Sequence, residues 1–181
     1  MKQLVLSAVA TLLAASPAMA ALPVGTLAPE FTAPAFKAGK PFEFHLAEAL
    51  KKGPVVLYFF PAAHTSGCNI EAHLFAQAVD DFHAKGATVV GITAGNVEQI
   101  KAFSAETEHC AGKFPVVADA GALIAKRYDA TLSTPIGQIS NRTSFVISPD
   151  DKVLFVYSNL KPEQHVTQTL GAVDQWRTAH P

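Results

Sequence analysis

The fold of this chain is decided by one continuous stretch, Val55-Val56-Leu57-Tyr58-Phe59-Phe60-Pro61-Ala62-Ala63-His64-Thr65-Ser66-Gly67-Cys68. Its first six residues are apolar and rich in β-branched and aromatic side chains, and Pro61 ends the run. A short run of this kind is typical of a central strand buried on both faces of a sheet. After Cys68, apolar residues recur at helical spacing as far as Gly86, which is placed to stop a helix. The stretch therefore predicts a buried strand, a short loop and a helix that Cys68 opens.

Strands and helices continue to alternate on the carboxyl side of this unit. Further strands are predicted at residues 88–93, 114–117, 143–147 and 153–157, and further helices at residues 97–103, 121–128 and 162–176. Asn96 is predicted to cap the first of these helices, Pro115 favours an edge position for its strand, and Pro149-Asp150-Asp151 predicts a hairpin turn. This order predicts an α/β, thioredoxin-like fold with a mixed central sheet that helices cover on both faces.

The amino terminus has the pattern of an export signal. A charged start, an apolar run over residues 4–15 and a break at Ser16-Pro17 lead to the small-x-small sequence Ala18-Met19-Ala20. The pattern predicts a signal peptide over residues 1–20 that is cleaved off, a single domain over residues 21–181, and a periplasmic or secreted location. The alternative is that residues 1–20 form an N-terminal helix of the domain. The residue directly after the predicted cleavage site is Ala21 and not Cys, so we expect no lipid anchor in a membrane.

Composition limits the partners and the redox chemistry. The formal net charge is −1 and no run of one sign occurs, which argues against binding of nucleic acid or of an acidic membrane surface. The chain has two cysteines, Cys68 and Cys110. In an oxidising compartment, two thiols suggest one disulfide, which is either a permanent structural bridge or part of a catalytic cycle.

The position of Cys68 favours reactivity. It follows the carboxyl end of the first central strand, where the sites of such sheets lie, and it opens a helix. The free N–H groups and the dipole of a helix start both stabilise a thiolate, which is the nucleophilic form of cysteine. Thr65 stands three residues earlier, so its hydroxyl can face the sulfur or bind an oxygen atom of the substrate. Pro61 is rigid and has no N–H, so it can form a wall of the pocket without competing for the thiolate. Alternatively, Thr65 is only a helix cap.

At this point the sequence resembles the peroxiredoxin family. The resemblance rests on the spacing Pro-x-x-x-Thr-x-x-Cys, met here by Pro61, Thr65 and Cys68, and on the apolar strand before it. Glu71 also fits the family pattern, and Arg142 stands just before a late strand, as the family's active-site arginine does. The opening residues 24–31 are similar as well. The sequence is most similar to the Q-type, or bacterioferritin-comigratory-protein, branch.

The resemblance implies a catalytic cycle without a cofactor. Cys68 is expected to attack a hydroperoxide and become a sulfenic acid, while Arg142 steadies the thiolate and the leaving oxygen. Many Q-type members resolve the sulfenic acid with a thiol five residues further on, but His73 stands there. The resemblance therefore assigns the resolving role to Cys110, expected at the end of the second helix, with local unwinding. A thioredoxin-like or other dithiol would reduce the bridge, and an internal bridge favours a monomer.

Other interpretations stay open at this point. An outside thiol instead of Cys110 is an alternative resolving partner, and Arg142 is alternatively a surface ion pair. A thiol-disulfide oxidoreductase on the same fold is the second functional class, and a copper-handling protein is a third. The Cys-x-x-Cys and Cys-x-x-x-Cys pairs that those two classes carry are missing.

Histidines add one further question. His64 departs from the apolar residue usual in the family, and it is either a solvated loop residue or part of the entrance to the peroxide pocket. Neither the set His64, Cys68 and His73 nor the pair His109-Cys110 matches a common zinc spacing, so the sequence predicts no metal site.

Overall fold

The computed structural model describes residues 21–135 and 137–181, and the predicted signal peptide lies outside these residues. The strands are β1 Thr32–Lys37, β2 Lys40–His45, β3 Val55–Phe59, β4 Thr88–Thr93, β5 Val116–Ala118, β6 Thr131–Thr134, β7 Gly137–Ser140, β8 Thr143–Ile147 and β9 Val153–Ser158. The α-helices are α1 Leu46–Leu50, α2 Ser66–Ala84, α3 Ile100–Ala105, α4 Leu123–Arg127 and α5 His165–Ala179. A seven-stranded sheet has the order β2-β1-β5-β4-β3-β8-β9, and β6 pairs with β7. The predicted α/β fold with a mixed sheet is confirmed.

Strand β3 is the centre of the sheet, as its apolar run predicts. It pairs parallel with β4 and antiparallel with β8, and all five of its side chains are buried. Its side chains alternate between two hydrophobic clusters, because successive residues of a strand point to opposite faces. Val55, Leu57 and Phe59 belong to one cluster, whereas Val56 and Tyr58 belong to the other.

Helices cover both clusters. On the Tyr58 face, α2 packs against α5 and β4, and α3 packs against β1 and β5. On the Phe59 face, α1 and α4 contribute Leu46, Leu50 and Ile124 to the core. Helix α2 stops where expected, because Gly86 takes up a left-handed conformation (φ +76°) and the Ala87 amide returns to the Phe82 carbonyl at 2.9 Å.

The prediction of an edge position for the strand near Pro115 is wrong. Strand β5 lies inside the sheet between β4 and β1, and Pro115 precedes it, so the missing N–H costs no ladder bond. The β1–β2 hairpin, which the sequence analysis did not predict, covers that edge. Its turn uses Ala38 and Gly39, both with positive φ, which is the conformation that a two-residue hairpin turn needs.

Three helix predictions need correction. Asn96 does not cap a helix through its side chain, because its amide donates to the Ala63 carbonyl at 2.9 Å, and a 3-10 turn at Val97–Gln99 precedes α3. Helix α3 ends at Ala105, so Cys110 lies in the turns beyond the helix and not at its end. Helix α5 begins at His165, after a turn that starts at Pro162. No helix in the described ranges is apolar over a length that could cross a bilayer.

The tight packing of β3 on β4 leads to a stability prediction. A methyl group at Gly91 would lie 2.8 Å from the Tyr58 hydroxyl, in the fully buried core. We therefore expect Gly91→Ala to lower the free energy of unfolding by about 1–3 kcal/mol. At Gly171, exposed within α5, a methyl group meets nothing within 4 Å. Gly171→Ala should therefore raise the free energy of unfolding by about 0.5–1 kcal/mol. Urea unfolding of both variants tests this, and equal midpoints would contradict the packing.

Candidate functional site

The sheet register brings the two ends of the site together. Phe59, the last residue of β3, pairs with Thr143, the first residue of β8. The loop that follows Phe59 and the residue that precedes Thr143 therefore meet at the same end of these two central strands. Cys68, at the third position of α2, enters from the first side, and Arg142 enters from the second.

A buried guanidinium connects Cys68 to Glu71. The Arg142 Nη2 atom lies 3.4 Å from the Cys68 sulfur, and Nη1 pairs with the Glu71 carboxylate. The Arg142 Nε atom donates to the Leu160 carbonyl at 2.9 Å, which fixes the plane of the guanidinium. Arg142 is only 5% exposed, so the alternative of a surface ion pair does not describe it. A methyl group at Gly67 would lie 3.0 Å from Nη2, so this glycine leaves room for the guanidinium.

Charge and burial shift the pKa values of Arg142 and Glu71 in opposite directions. Burial lowers the pKa of Arg142, but the charges of Glu71 and Cys68 outweigh burial, and the net shift is upward. Burial raises the pKa of Glu71, and Arg142 opposes that rise. The Cys68 sulfur therefore has a guanidinium 3.4 Å away and lies in the first turn of α2, whose free N–H groups and dipole attract negative charge.

His165 of α5 lies beside Glu71. Its Nδ1 atom lies 3.5 Å from Glu71 Oε1, an oxygen that has no hydrogen-bond partner among the described residues. Burial lowers the pKa of His165 to about 4, so the ring is neutral near pH 7. Its Nε2–H donates to the Asn159 carbonyl at 2.9 Å, and Nδ1 accepts from the Ser144 hydroxyl at 2.8 Å. The ring is therefore held in one orientation against the carboxylate.

Thr65 and Pro61 lie in the loop between β3 and α2. Thr65 precedes the first residue of α2, but its hydroxyl donates to the Ala62 carbonyl at 3.0 Å and makes no side-chain cap. In this state the hydroxyl is thus directed neither to a helix amide nor to the Cys68 sulfur. Pro61 is half-buried, and its carbonyl lies 3.2 Å from the Thr93 hydroxyl, which ties the loop to β4.

Cys110 is a free, buried thiol that is not bonded to Cys68. Both cysteines lie in the Tyr58-face cluster and are at most 1% exposed. Burial raises the pKa of the Cys110 thiol, although contact with the Tyr58 hydroxyl lowers it. Burial also raises the pKa of Tyr58, and the charges of Cys110, Glu71 and Cys68 add to that rise. A permanent structural bridge between the two thiols is absent from this state.

Some of these neighbours were not found by sequence reasoning. Ser144 and His165 belong to no spacing motif, because Ser144 meets His165, and His165 meets Glu71, only through the packing of α5 on β8 and α2. Tyr58 was predicted only as part of a buried strand. The hydroxyl of Tyr58, the one polar side-chain group in the run Val55–Phe59, is the sequence signal that could have singled this residue out.

Comparison with known proteins agrees with this geometry. A model of the AhpC/TSA family matches residues 24–156. Chloroplastic peroxiredoxin Q of Sedum lineare is 34% identical over 121 residues, which are 66% of this chain and 63% of that protein. For peroxiredoxin Q of Triticum aestivum the identity is 31% over 124 residues, which are 68% of this chain and 55% of that protein. The chain thus spans about 55–63% of the length of these relatives.

The comparison with solved structures leads to the same group of proteins. The crystal structure of peroxidoxin BcpB from Mycobacterium tuberculosis has a TM-score of 0.72 at 31% identity, covering 84% of this chain and 96% of that chain. A PrxQ variant from Xylella fastidiosa has a TM-score of 0.73 at 22% identity, covering 86% of this chain and 97% of that chain, which supports the fold alone.

The contact of Arg142 with Cys68 predicts how the sulfur reacts. Glu71→Gln removes a negative charge and keeps the cation, so we expect alkylation of Cys68 by iodoacetamide at pH 7 to be at least as fast as in the wild type. Glu71→Gln combined with Arg142→Met also removes the cation without leaving a buried carboxylate unpaired. The double variant should alkylate at least about tenfold more slowly than the single variant, because the reacting sulfur loses the cation that lies 3.4 Å from it.

Mass spectrometry of the Cys68 peptide gives these rates, and circular dichroism checks that both variants fold. Equal rates for the single and double variants would show that Arg142 does not stabilise the anion.

Proposed function

This chain belongs to the AhpC/TSA family, and from that membership we propose that it is a thiol-dependent peroxidase in which Cys68 reduces hydroperoxides. The observation that carries the proposal is the placement of Cys68 at the start of α2 with the Arg142 guanidinium 3.4 Å from its sulfur. The similar proteins named peroxiredoxin Q support the same chemistry.

In the proposed first step, the Cys68 thiolate attacks one oxygen of the O–O bond. An S–O bond forms, the O–O bond breaks, and the leaving oxygen takes a proton to become water or an alcohol. Cys68 is oxidised to sulfenic acid and the peroxide is reduced. Charge moves from the sulfur to the leaving oxygen during this step, and Arg142 lies where it can stabilise both ends. Thr65 would have to turn from the Ala62 carbonyl toward the peroxide.

In the proposed second step, the Cys110 thiol attacks the sulfenic sulfur, a disulfide forms and water leaves. The buried state of both cysteines means that this step needs local opening. The segment after α3 is suited to opening, because it is held by turns, such as the Ala111 amide on the Glu106 carbonyl at 2.9 Å, and not by a helix. A dithiol of the thioredoxin type would then reduce the bridge by exchange and become oxidised itself. We propose a monomer, since both thiols belong to one chain.

The alternative of a thiol-disulfide oxidoreductase is less favoured. Such a protein relays electrons through two thiols that are adjacent in sequence. Cys110 is buried, and β4 and α3 lie between it and α2 along the chain. The site around Cys68 also places a guanidinium beside the sulfur, and that arrangement suits a reaction with a developing oxyanion.

Single-turnover kinetics test the proposed cycle. Cys68→Ser should leave hydrogen peroxide unconsumed, because no sulfur nucleophile remains at the start of α2. Cys110→Ser should consume one equivalent and then stop at sulfenic acid or a higher oxide, whereas the wild type should form one Cys68–Cys110 bridge per chain. Stopped-flow peroxide consumption and disulfide mapping by mass spectrometry give these results. Full cycling of Cys110→Ser with a dithiol as sole reductant would overturn the role of Cys110, and peroxide consumption by Cys68→Ser would overturn that of Cys68.

We also propose that residues 1–20 are removed on export and that the protein works in the periplasm or outside the cell. The support is the cleavage sequence Ala18-Met19-Ala20 and the domain start, since Ala21 is buried and the Leu22 amide donates to the Tyr128 carbonyl. The expected amino terminus of the protein from the periplasm of a Gram-negative host is therefore Ala21. Ala18→Asp should block cleavage, because the site requires a small residue. A full-length chain in the wild type, measured by intact mass, would overturn the proposal.

A further inference from the structure

A second cluster of reactive side chains lies beside the two cysteines. It consists of His64 in the loop before α2, and of Glu106 and His109 in the turns after α3, and we refer to it as the His-Glu-His cluster. The His64 Nε2 atom lies 2.8 Å from Glu106 Oε2, and the His109 Nε2 atom lies 3.2 Å from the same oxygen. One ligand atom from each of the three residues lies within 4.8 Å of the others.

Hydrogen bonding leaves a nitrogen lone pair of His64 facing this oxygen. Gln99 turns its amide nitrogen to Glu98 at 3.4 Å, so its carbonyl oxygen accepts from His64 Nδ1 at 2.8 Å. In the neutral ring the proton is then on Nδ1, and Nε2 presents a lone pair to a carboxylate oxygen. Two lone pairs at 2.8 Å repel, so either a second proton on His64 or a metal ion lies between them. A metal-bound histidine shows this arrangement, with its other N–H held by an oxygen.

Packing on Phe103 orients the two imidazole rings. Both imidazole rings pack on Phe103, with centroid distances of 5.3 Å for His64 and 4.9 Å for His109. His64 is held with a positive φ of 60°, a conformation that is uncommon outside glycine. The side chain of His64 is 29% exposed and that of Glu106 is 40% exposed, so an ion has a path from solvent.

We propose that His64, Glu106 and His109 form a binding site for a Zn²⁺-class divalent cation. Two imidazole nitrogens and one carboxylate oxygen, with water in the fourth position, are a ligand set that Zn²⁺ accepts. Bonds of about 2.0–2.1 Å to Zn²⁺ in a tetrahedron place ligand atoms about 3.3 Å apart. The His109–Glu106 distance of 3.2 Å already meets this requirement, and the His64–Glu106 distance must widen by only about half an ångström. The sequence predicted no metal because the ligands come from two distant segments.

The site joins the two segments that the disulfide must bring together. His64 stands four residues before Cys68, and His109 is adjacent to Cys110. A bound ion would hold both segments in the closed state, in which both thiols are buried. We therefore infer that the cation slows disulfide formation and prolongs the life of the Cys68 sulfenic acid. This consequence rests on the proposed peroxidase function, whereas the metal site itself does not.

Zinc titration of the reduced protein tests the site. In the Cys68→Ser, Cys110→Ser background, which removes thiol ligands, we expect one equivalent of Zn²⁺ to bind in competition with a chromogenic chelator. Glu106→Gln and His109→Gln should each weaken binding at least about tenfold, since even residues that only support ligands cost 10–100-fold. His83→Gln, outside the cluster, should bind like the background. The proposal is overturned by the absence of a stoichiometric site, or by equal affinity in all three variants.

X-ray absorption of the zinc-loaded wild type provides a readout that needs no variant. The spectrum should show nitrogen and oxygen ligands at about 2.0–2.1 Å with imidazole scattering. A sulfur shell at about 2.3 Å would instead assign the ion to the thiols and overturn the proposed site.

The effect on the cycle is measured separately. One equivalent of Zn²⁺ should slow Cys68–Cys110 bridge formation in the wild type and leave Glu106→Gln unaffected. An unchanged rate in the wild type would overturn the inference about the cycle while the binding data stand. If no peroxide is reduced, the proposed function fails, and the inference about the cycle fails with it; the titration still decides the site.

Discussion

The burial of one positive charge sets the requirements for the whole site. The Arg142 guanidinium is 5% exposed and Glu71 is fully buried, so neither charge keeps its water. Removal of two ions from water costs several kcal/mol each, and their attraction offsets that cost only when the remaining polar atoms are satisfied. Leu160 and Cys68 take two of the remaining guanidinium donors. The sulfur is thus one of the acceptors that make the buried cation tolerable.

The sheet topology brings these groups together at the sulfur. Strand β3 ends where β8 begins, so the antiparallel register alone places Arg142 beside the loop that leads to α2. The parallel pairing of β3 with β4 requires a crossover connection, and α2 provides it with its amino terminus at the same sheet edge. The cation and the helix start therefore act on one atom from two directions. His165 completes the arrangement from α5, because that helix packs on both α2 and β8.

The sequence was informative where local pattern and function coincide. The apolar run of β3, the stop at Gly86 and the Pro61-Thr65-Cys68 spacing are local features, and the structure has the strand, the helix and the loop there. The position of β5 was mispredicted, because edge status depends on whether another segment pairs with the strand, and the short β1–β2 hairpin that pairs with it was not recognised. The contacts of Glu71, His165 and Tyr58 were not predictable, since they join elements far apart in sequence through packing.

The two sides of the site differ in how firmly they are held, and the proposed chemistry needs that difference. The Arg142 side is anchored next to buried residues of β8 and α2, and core elements of this kind open only at a free energy that approaches that of global unfolding. The Cys110 side consists of consecutive turns, with Ala111 and Gly112 at positive φ and the charged residue Glu106 partly exposed. Attack on a peroxide needs a fixed cation and a fixed sulfur, whereas disulfide formation needs a mobile second thiol. A rigid Cys68 environment next to a loosely built Cys110 segment satisfies both, and the His-Glu-His cluster lies at the boundary where the mobile part is held to the fixed part.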